Sequence, residues 1–283
     1  MKAAAFRYAR ATSAGHAQAL LAEHGEDARL LAGGQSLLAA LNLRLSEPAI
    51  LVDIGRIGHA EIEAHDGRLR IGALATHAAI GRSGTVVETA PMLVQAVPHI
   101  AHPAIRNRGT LGGSLALGDP AAEWPACALA LGADVVLASA ARGERRVPAE
   151  EFFLGLYSTA CAADEMALAA EFPVLAPNER QACLELARRR GDYALVGVAA
   201  RASVEGGRVS GLRAAFFGVG ATPVLAREAA SAAEGAPVDE AARAAADALG
   251  RDLDPHGDPT TDGATRLRLA RALLRRAIDG MAA

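Results

Sequence analysis

Apolar and polar residues alternate in short blocks through the first half of the chain. The runs "ARLLAG" (28–33) and "AILVDI" (49–54) read as buried strands, with helical spacing over 13–24 and 36–45 around them. Residues 1–55 therefore predict one small α/β lobe. From Glu61 the pattern changes, because "EIEAHDGRLRIGA" alternates on both sides of Asp66-Gly67, a pair suited to the positive φ angles of a hairpin turn. Helical stretches over 76–82 and 85–97, a helix near 122–131 and a strand "ADVVLAS" complete a second lobe closing near Pro173. The segment "PVLAPNERQ", with two prolines, predicts a linker. Beyond it lie three strand-like runs, "CLELARR", "ALVGVAARASVE" and "RVSGLRAAFFGVG", the last two joined at Gly206-Gly207. Helices finish the chain. In the last one Leu267, Ala270, Leu274 and Ile278 form an apolar stripe, and Arg266, Arg268, Arg271 and Arg275 are expected on a solvated face.

Composition narrows the function classes. With 51% hydrophobic and 22% charged residues, the 283-residue chain can bury a sizeable core, and a net charge of −3 supplies no basic footprint for nucleic acid or a membrane surface. Arg7 and Arg10 interrupt the N-terminal apolar residues, and no long uncharged apolar stretch follows, so a cytoplasmic protein without a membrane span is expected. Cys127, Cys161 and Cys183 are widely spaced and form no metal or cluster signature; buried free thiols are expected.

Two glycine pairs carry the candidate chemistry. "RLLAGGQSLL" places Gly33-Gly34 between a strand and a helix, and "IRNRGTLGGSLALGDP" places Gly112-Gly113 in a similar setting. Glycine permits close backbone approach, and the free amides at a helix start attract phosphate, each such charge interaction contributing roughly 0.3–1 kcal/mol when exposed. Neither turn matches G-x-G-x-x-G or the lysine-bearing phosphate loop, which disfavours Rossmann and P-loop enzymes. Two amide-rich turns suggest a dinucleotide held by its pyrophosphate, with Ser36, Thr110 and Ser114 as further donors. Other tempting groups have plainer readings. His99 and His102 read as structural histidines, "RRR" at 188–190 as a solvated strand edge, and Asp53 lies outside the context of a ribose-binding acid.

The ordered motifs "AGGQSLLAALNLRLSEPAILVDI", "IRNRGTLGGSLALGDPAAEWP", "FFLGLYSTACAADEMALAAEFP" and "RRRGDYALVGVAA", with the terminal "TRLRLARALLRRAI", resemble the FAD-binding medium subunit of the molybdenum hydroxylases. This is the family of xanthine dehydrogenase and aerobic carbon monoxide dehydrogenase, and the resemblance covers nearly the whole chain. It implies an α+β fold: a PCMH-type FAD-binding domain of two α/β lobes (about 1–55 and 56–175), then a carbon monoxide dehydrogenase flavoprotein C-terminal-like domain over 176–283, with a three-stranded antiparallel sheet plus helices.

The same resemblance implies the site. The pyrophosphate loop falls on Ala32, Gly33, Gly34, Gln35 and Ser36, supported by Leu31 and Leu37. The second turn falls on Thr110, Leu111, Gly112, Gly113 and Ser114, and a flavin-touching segment on Ile100 and Ala101. Glu123 takes the position of an acid beside the ribityl chain, Ala167 that of a backbone contact, and Tyr193 that of a tyrosine near the isoalloxazine ring. No catalytic acid, base or metal ligand is implied in this chain. The implied function is electron transfer: FAD here, [2Fe-2S] clusters on a small iron-sulfur subunit, and the molybdenum cofactor on a large molybdopterin subunit, assembled as a dimer of heterotrimers. The competing readings are a self-contained flavin oxidase or reductase and a non-catalytic nucleotide-binding module.

Overall fold

Residues 2–282 are described by a computed structural model. Three parallel strands, β1 (Arg7–Arg10), β2 (Ala28–Leu31) and β3 (Ile50–Asp53), pair in the order β1-β3-β2. The crossovers carry α1 (Ala14–His24), whose first turn is capped by Ser13 accepting from the His16 amide at 3.1 Å, and the short α2 (Leu37–Asn42). The exposed, polar β1 has no apolar run to mark it, and only its pairing with the buried β3 makes it a strand.

An antiparallel sheet follows, ordered β4-β5-β10-β6-β7. Its strands are β4 (Ile62–His65), β5 (Arg68–Gly72), β6 (Asp134–Ser139), β7 (Gly143–Pro148) and the central β10 (Met166–Pro173). Asp66 and Gly67 turn β4 into β5 at φ 49° and 73°, as the Asp-Gly pair predicts. The two faces of β6 separate two cores by the period of two that a strand imposes: Val135 and Leu137 pack against the second lobe's helices, Val136 and Ala138 against α1 and β3 of the first lobe. This shared sheet fixes one lobe against the other and leaves a cleft along their common edge.

The helices of the second lobe are α3 (His77–Arg82), α4 (Gly84–Thr89), α5 (Pro91–Ala96), α6 (Pro103–Arg106), α7 (Leu111–Leu117), α8 (Glu123–Leu131) and α9 (Ala149–Phe152). The single helix expected over 85–97 is two, because Pro91 has no amide hydrogen to continue α4 and instead starts α5. A small hairpin, β8 (Phe153–Gly155) and β9 (Ser158–Thr159), precedes β10.

The C-terminal strands β11 (Glu179–Ala187), β12 (Ala194–Glu205), β13 (Arg208–Phe217) and the two-residue β14 (Val224–Leu225) form an antiparallel sheet, so the expected three strands gain a short fourth. β11 begins inside the segment expected as linker: Arg201 Nη1 donates to the buried Glu179 carboxylate at 2.7 Å and ties it to β12. Helices α10 (Arg227–Ala233), α11 (Val238–Ala248) and α12 (Gly263–Asp279) cover one face of this sheet. Its other face joins the core of the second lobe through Cys183, Ala199, Ala215 and Phe217.

Two sequence expectations change here. The apolar stripe of α12 is buried, but Arg266 is not solvated: its Nη1 donates to Leu195 O (2.7 Å) and Gly218 O (2.8 Å), and Nη2 pairs with Asp258. Arg188–Arg190 lie beyond the end of β11, exposed in a turn rather than on a strand edge.

Candidate functional site

The cleft between the lobes is a cavity of about 980 Å³, bordered on the C-terminal side by the Gly191–Tyr193 turn that leads into β12. Such a volume sits at the upper end of the range for small-molecule and cofactor sites. Every residue assigned to the cofactor from sequence borders it except Leu31 and Leu111. Leu31 is a strand residue paired with Asp53, and Leu111 is fully buried in the core; both support the loops from behind.

The first glycine loop leaves β2 at Leu31 and enters α2 at Leu37. A Cβ on Gly33 would overlap the Arg108 carbonyl oxygen, and Gly34 sits at φ 73°, so the two glycines answer different demands, one steric and one conformational. Gln35 Nε2 donates to Gly33 O at 2.9 Å and closes the loop on itself. Among the described residues, the amides of Gly33, Gly34, Gln35 and Ser36 have no acceptor. Four consecutive free donors beside a cavity form a nest for an anion, and a diphosphate is the acceptor such a nest suits. α2 has under two turns, so these amides rather than a helix macrodipole supply the attraction.

The second glycine turn differs from the expectation. Leu111 N donates to Ala75 O (3.0 Å), Gly112 N to Ala73 O (2.8 Å), Gly113 N to Thr110 Oγ1 (3.2 Å) and Ser114 N to Thr110 O (3.1 Å). Its amides are committed, and the Thr110 hydroxyl oxygen accepts one of them as the cap of α7, keeping only its O–H to donate. A Cβ on Gly112 would overlap Ala73, so that glycine serves packing, while the exposed Gly113 presents bare backbone to the cleft. The turn is a flat wall with the Ser114 hydroxyl on it, not a second anion nest.

The remaining walls are held by charged clasps. Ala101 sits at φ 39°, strained for a residue with a Cβ, and Arg106 Nη1 steadies the segment by donating to Ile100 O (3.0 Å) and Ala101 O (3.1 Å). Gly191 fits against the Ala101 carbonyl, where a Cβ would come within 2.6 Å. Opposite, the loop from Cys161 to Ala167 is folded around Glu165, whose side chain is 1% exposed. Glu165 accepts from Arg145 Nε (2.7 Å), Arg145 Nη2 (2.8 Å) and the Ala162 amide (2.9 Å), and Arg145, first among these contacts, holds the carboxyl below its ordinary pKa. Replacing Arg145 by methionine should destabilise the protein by about 1–3 kcal/mol at neutral pH, because a buried carboxylate keeps only the Ala162 amide and the more distant Arg142, at 3.5 Å. That loss should shrink as pH falls and Glu165 protonates, which chemical denaturation at pH 4 and pH 7 would measure.

Electrostatics differ along the cleft. Burial, then the charge of Asp119, raises Glu123 to about 7, so near neutrality it is a hydrogen-bond donor as often as an acceptor. Tyr193 is 73% exposed at the mouth, and partial desolvation together with Asp119 and Tyr157 raises its phenol. Cys161 is half-buried on the cleft wall rather than buried as expected, with desolvation pushing its thiol up to about 12. His77, Ile105, Leu117, Asp119, Tyr157 and Met166 also border the cavity and escaped the sequence reading. Leu117 lies one turn along α7 from Gly113 and was accessible to helical spacing; Tyr157, at φ 52° on the β8–β9 hairpin, had no local signal.

A dinucleotide fits this cleft: a diphosphate nest at one glycine loop, a flat glycine wall opposite, and tyrosines at the mouth. The chain as a whole resembles known proteins. Residues 4–175 match the family described as FAD binding domain in molybdopterin dehydrogenase, and residues 181–281 the CO dehydrogenase flavoprotein C-terminal domain. A 6-hydroxypseudooxynicotine dehydrogenase complex subunit alpha of Paenarthrobacter nicotinovorans is 40% identical, over 95% of this chain and 90% of its own. Among solved structures, carbon monoxide dehydrogenase of Hydrogenophaga pseudoflava superposes with a TM-score of 0.95 at 37% identity, covering 99% of this chain and 98% of that one. Quinoline 2-oxidoreductase of Pseudomonas putida 86 gives 0.94 at 39%, covering 100% and 98%. With both halves of the chain matched and the anion nest in place within the first of them, this protein belongs to the FAD-binding medium subunits of the molybdenum hydroxylases, oxidoreductase subunits that work within multi-subunit enzymes.

Proposed function

We propose that this chain carries electrons, through FAD bound in the interlobe cleft, from a [2Fe-2S] subunit to a terminal acceptor, while substrate is oxidised on a separate molybdopterin subunit. The carrying observation is the run of unpaired amides at Gly33–Ser36, a backbone site for the FAD diphosphate that needs no lysine. FAD, when bound, supplies the redox chemistry; the protein binds, orients and shields it. Ala32–Leu37 would hold the diphosphate, and Thr110 and Gly112–Ser114 the opposite side. Ile100, Ala101, Glu123, Ala167 and Tyr193 would line the rest, with Leu31 and Leu111 packed behind the loops. Glu123, titrating near neutrality, is placed to donate to a hydroxyl or carbonyl oxygen.

The division of labour assigns residues 1–175 to FAD binding and 176–283 to a C-terminal domain that supplies Tyr193 and buttresses the second lobe. A cytoplasmic dimer of heterotrimers is the proposed assembly. The complex, purified through a tag on this chain, should contain flavin, iron and molybdenum, and its deflavinated form should regain a flavin absorbance spectrum saturably with FAD. A correctly folded complex that takes up no FAD refutes the proposal, and so does a chain that oxidises an organic substrate rapidly without molybdenum partners.

A further inference from the structure

His77 begins α3 and lies at the cavity wall, 6% exposed, tied by its amide to Gly109 O at 3.0 Å. Its Nδ1 accepts from the buried Trp124 Nε1 at 2.9 Å. An indole N–H can only donate, so this bond decides the tautomer: Nδ1 is the acceptor, and the ring's proton sits on Nε2. The ring is also neutral, since burial first and the nearby Arg106 guanidinium second lower its pKa to about 4. Nε2–H has no hydrogen-bond partner among the described residues. Its edge rests against Gly109, where a Cβ would come within 2.6 Å of Nε2, so the absence of a side chain there keeps this edge open. Gly109 borders the same cavity and directly precedes the second glycine turn, whose own amides are all committed.

We propose that His77 is a cofactor-binding residue, a neutral ring whose Nε2–H donates a hydrogen bond to an oxygen of FAD in the cleft, with Trp124 as the positioning residue that enforces the donor tautomer. The inference rests on the FAD reading above. It explains why a polar edge facing the cleft is left unpaired beside a wall whose backbone amides are all committed: once a ligand displaces water there, the N–H needs an acceptor, and the ligand provides it.

The test titrates the deflavinated complex with FAD, following flavin fluorescence, in three variants. His77→Gln keeps an N–H near the Nε2 position and should bind within about threefold of the parent. His77→Phe should bind at least tenfold more weakly, at a melting temperature lowered because the buried Trp124 Nε1–H loses its acceptor. Trp124→Phe frees Nδ1, lets the tautomers mix, and should fall between them. In full-length protein labelled with ¹⁵N-histidine, the His77 signals should show the Nε2–H form, unchanged from pH 8 to pH 5. Parent-like affinity in His77→Phe, or an Nδ1–H tautomer, overturns the proposal; if the Phe variant does not fold, the tautomer signal and the Gln variant decide it. Failure of the parent complex to bind FAD would refute the FAD reading instead, which keeps the two failures apart.

Discussion

Gly33→Ala should leave the assembled complex nearly free of FAD. The added Cβ would overlap the Arg108 carbonyl oxygen, and that carbonyl cannot swing aside. The Arg108 and Gly109 amides both donate to Ile105 O, at 3.0 and 2.7 Å, and Gly109 O accepts from His77 N at 3.0 Å, so the contacted backbone is held from both sides. The loop carrying the four free amides must therefore retreat, which disassembles the anion nest. Affinity for FAD should fall about a hundredfold, with an overpacking cost of about 1–3 kcal/mol or somewhat more in stability. Gly113→Val acts differently, since its Cβ would crowd only the Thr110 hydroxyl, at 2.9 Å, and otherwise enter the cleft; it should weaken FAD binding with little loss of stability. Gly15→Ala, on α1 with nothing closer than Ser13 Oγ at 4.0 Å, should leave both unchanged or raise stability slightly. Flavin-to-protein ratios and melting curves of the three complexes check the set, and normal FAD content in Gly33→Ala would remove this loop from the site.

Glu185→Gln should stabilise the protein, and increasingly so as pH rises. Glu185 lies on β11 with its side chain 2% exposed and its Oε2 without any hydrogen-bond partner. The nearest cationic candidate, His99 Nδ1, is 3.9 Å away, but burial and then Arg190 lower the pKa of that ring, so it stays neutral near pH 7. Burial, with Glu123 adding repulsion, raises Glu185 to about 8. A carboxyl raised on folding reverses the usual acidic case. The contribution of Glu185 to stability is full below the unfolded pKa near 4.5, falls as pH climbs from there towards 8, and is level above. Glu123, raised to about 7, adds a loss of the same sign over 4.5 to 7. At about 1.4 kcal/mol per pKa unit, the Glu185 penalty at pH 8 is on the order of a few kcal/mol. Glutamine carries no charge to desolvate, so the variant's melting temperature should exceed the parent's by about 5 °C or more at pH 8 and match it at pH 4.5. A parent whose stability rises between pH 5 and 8 would show that Glu185 finds a partner.

Much of the site was readable before folding because its signals are local. Asp66-Gly67 between alternating runs specifies its hairpin, and Gly33-Gly34 specifies a loop that only glycine can make. Pro91 was equally readable as the break between α4 and α5, and the longer helical pattern over 85–97 concealed it. The equivalence of the two glycine turns failed for a different reason. Their sequences look alike, but the Leu111 and Gly112 amides of the second are taken by the carbonyls of Ala75 and Ala73, residues that only the closed sheet brings alongside, and Thr110 takes the next two. Arg266 likewise falls on the polar face of its helix by spacing, and is drawn out of solvent because the carbonyls of Leu195 and Gly218 reach it from β12 and the end of β13.

By itself, then, the sequence determined the strand and helix periods, the glycine loops and, through ordered motifs, the FAD-binding family, since each is written in residues close along the chain. Only the tertiary structure decided which amides stay free for a phosphate, which histidine tautomer faces the cleft and which carboxyl is stranded without a partner. Those properties depend on who occupies the neighbouring space, and burial and hydrogen-bond satisfaction are set by segments distant in sequence that meet only when the sheets close.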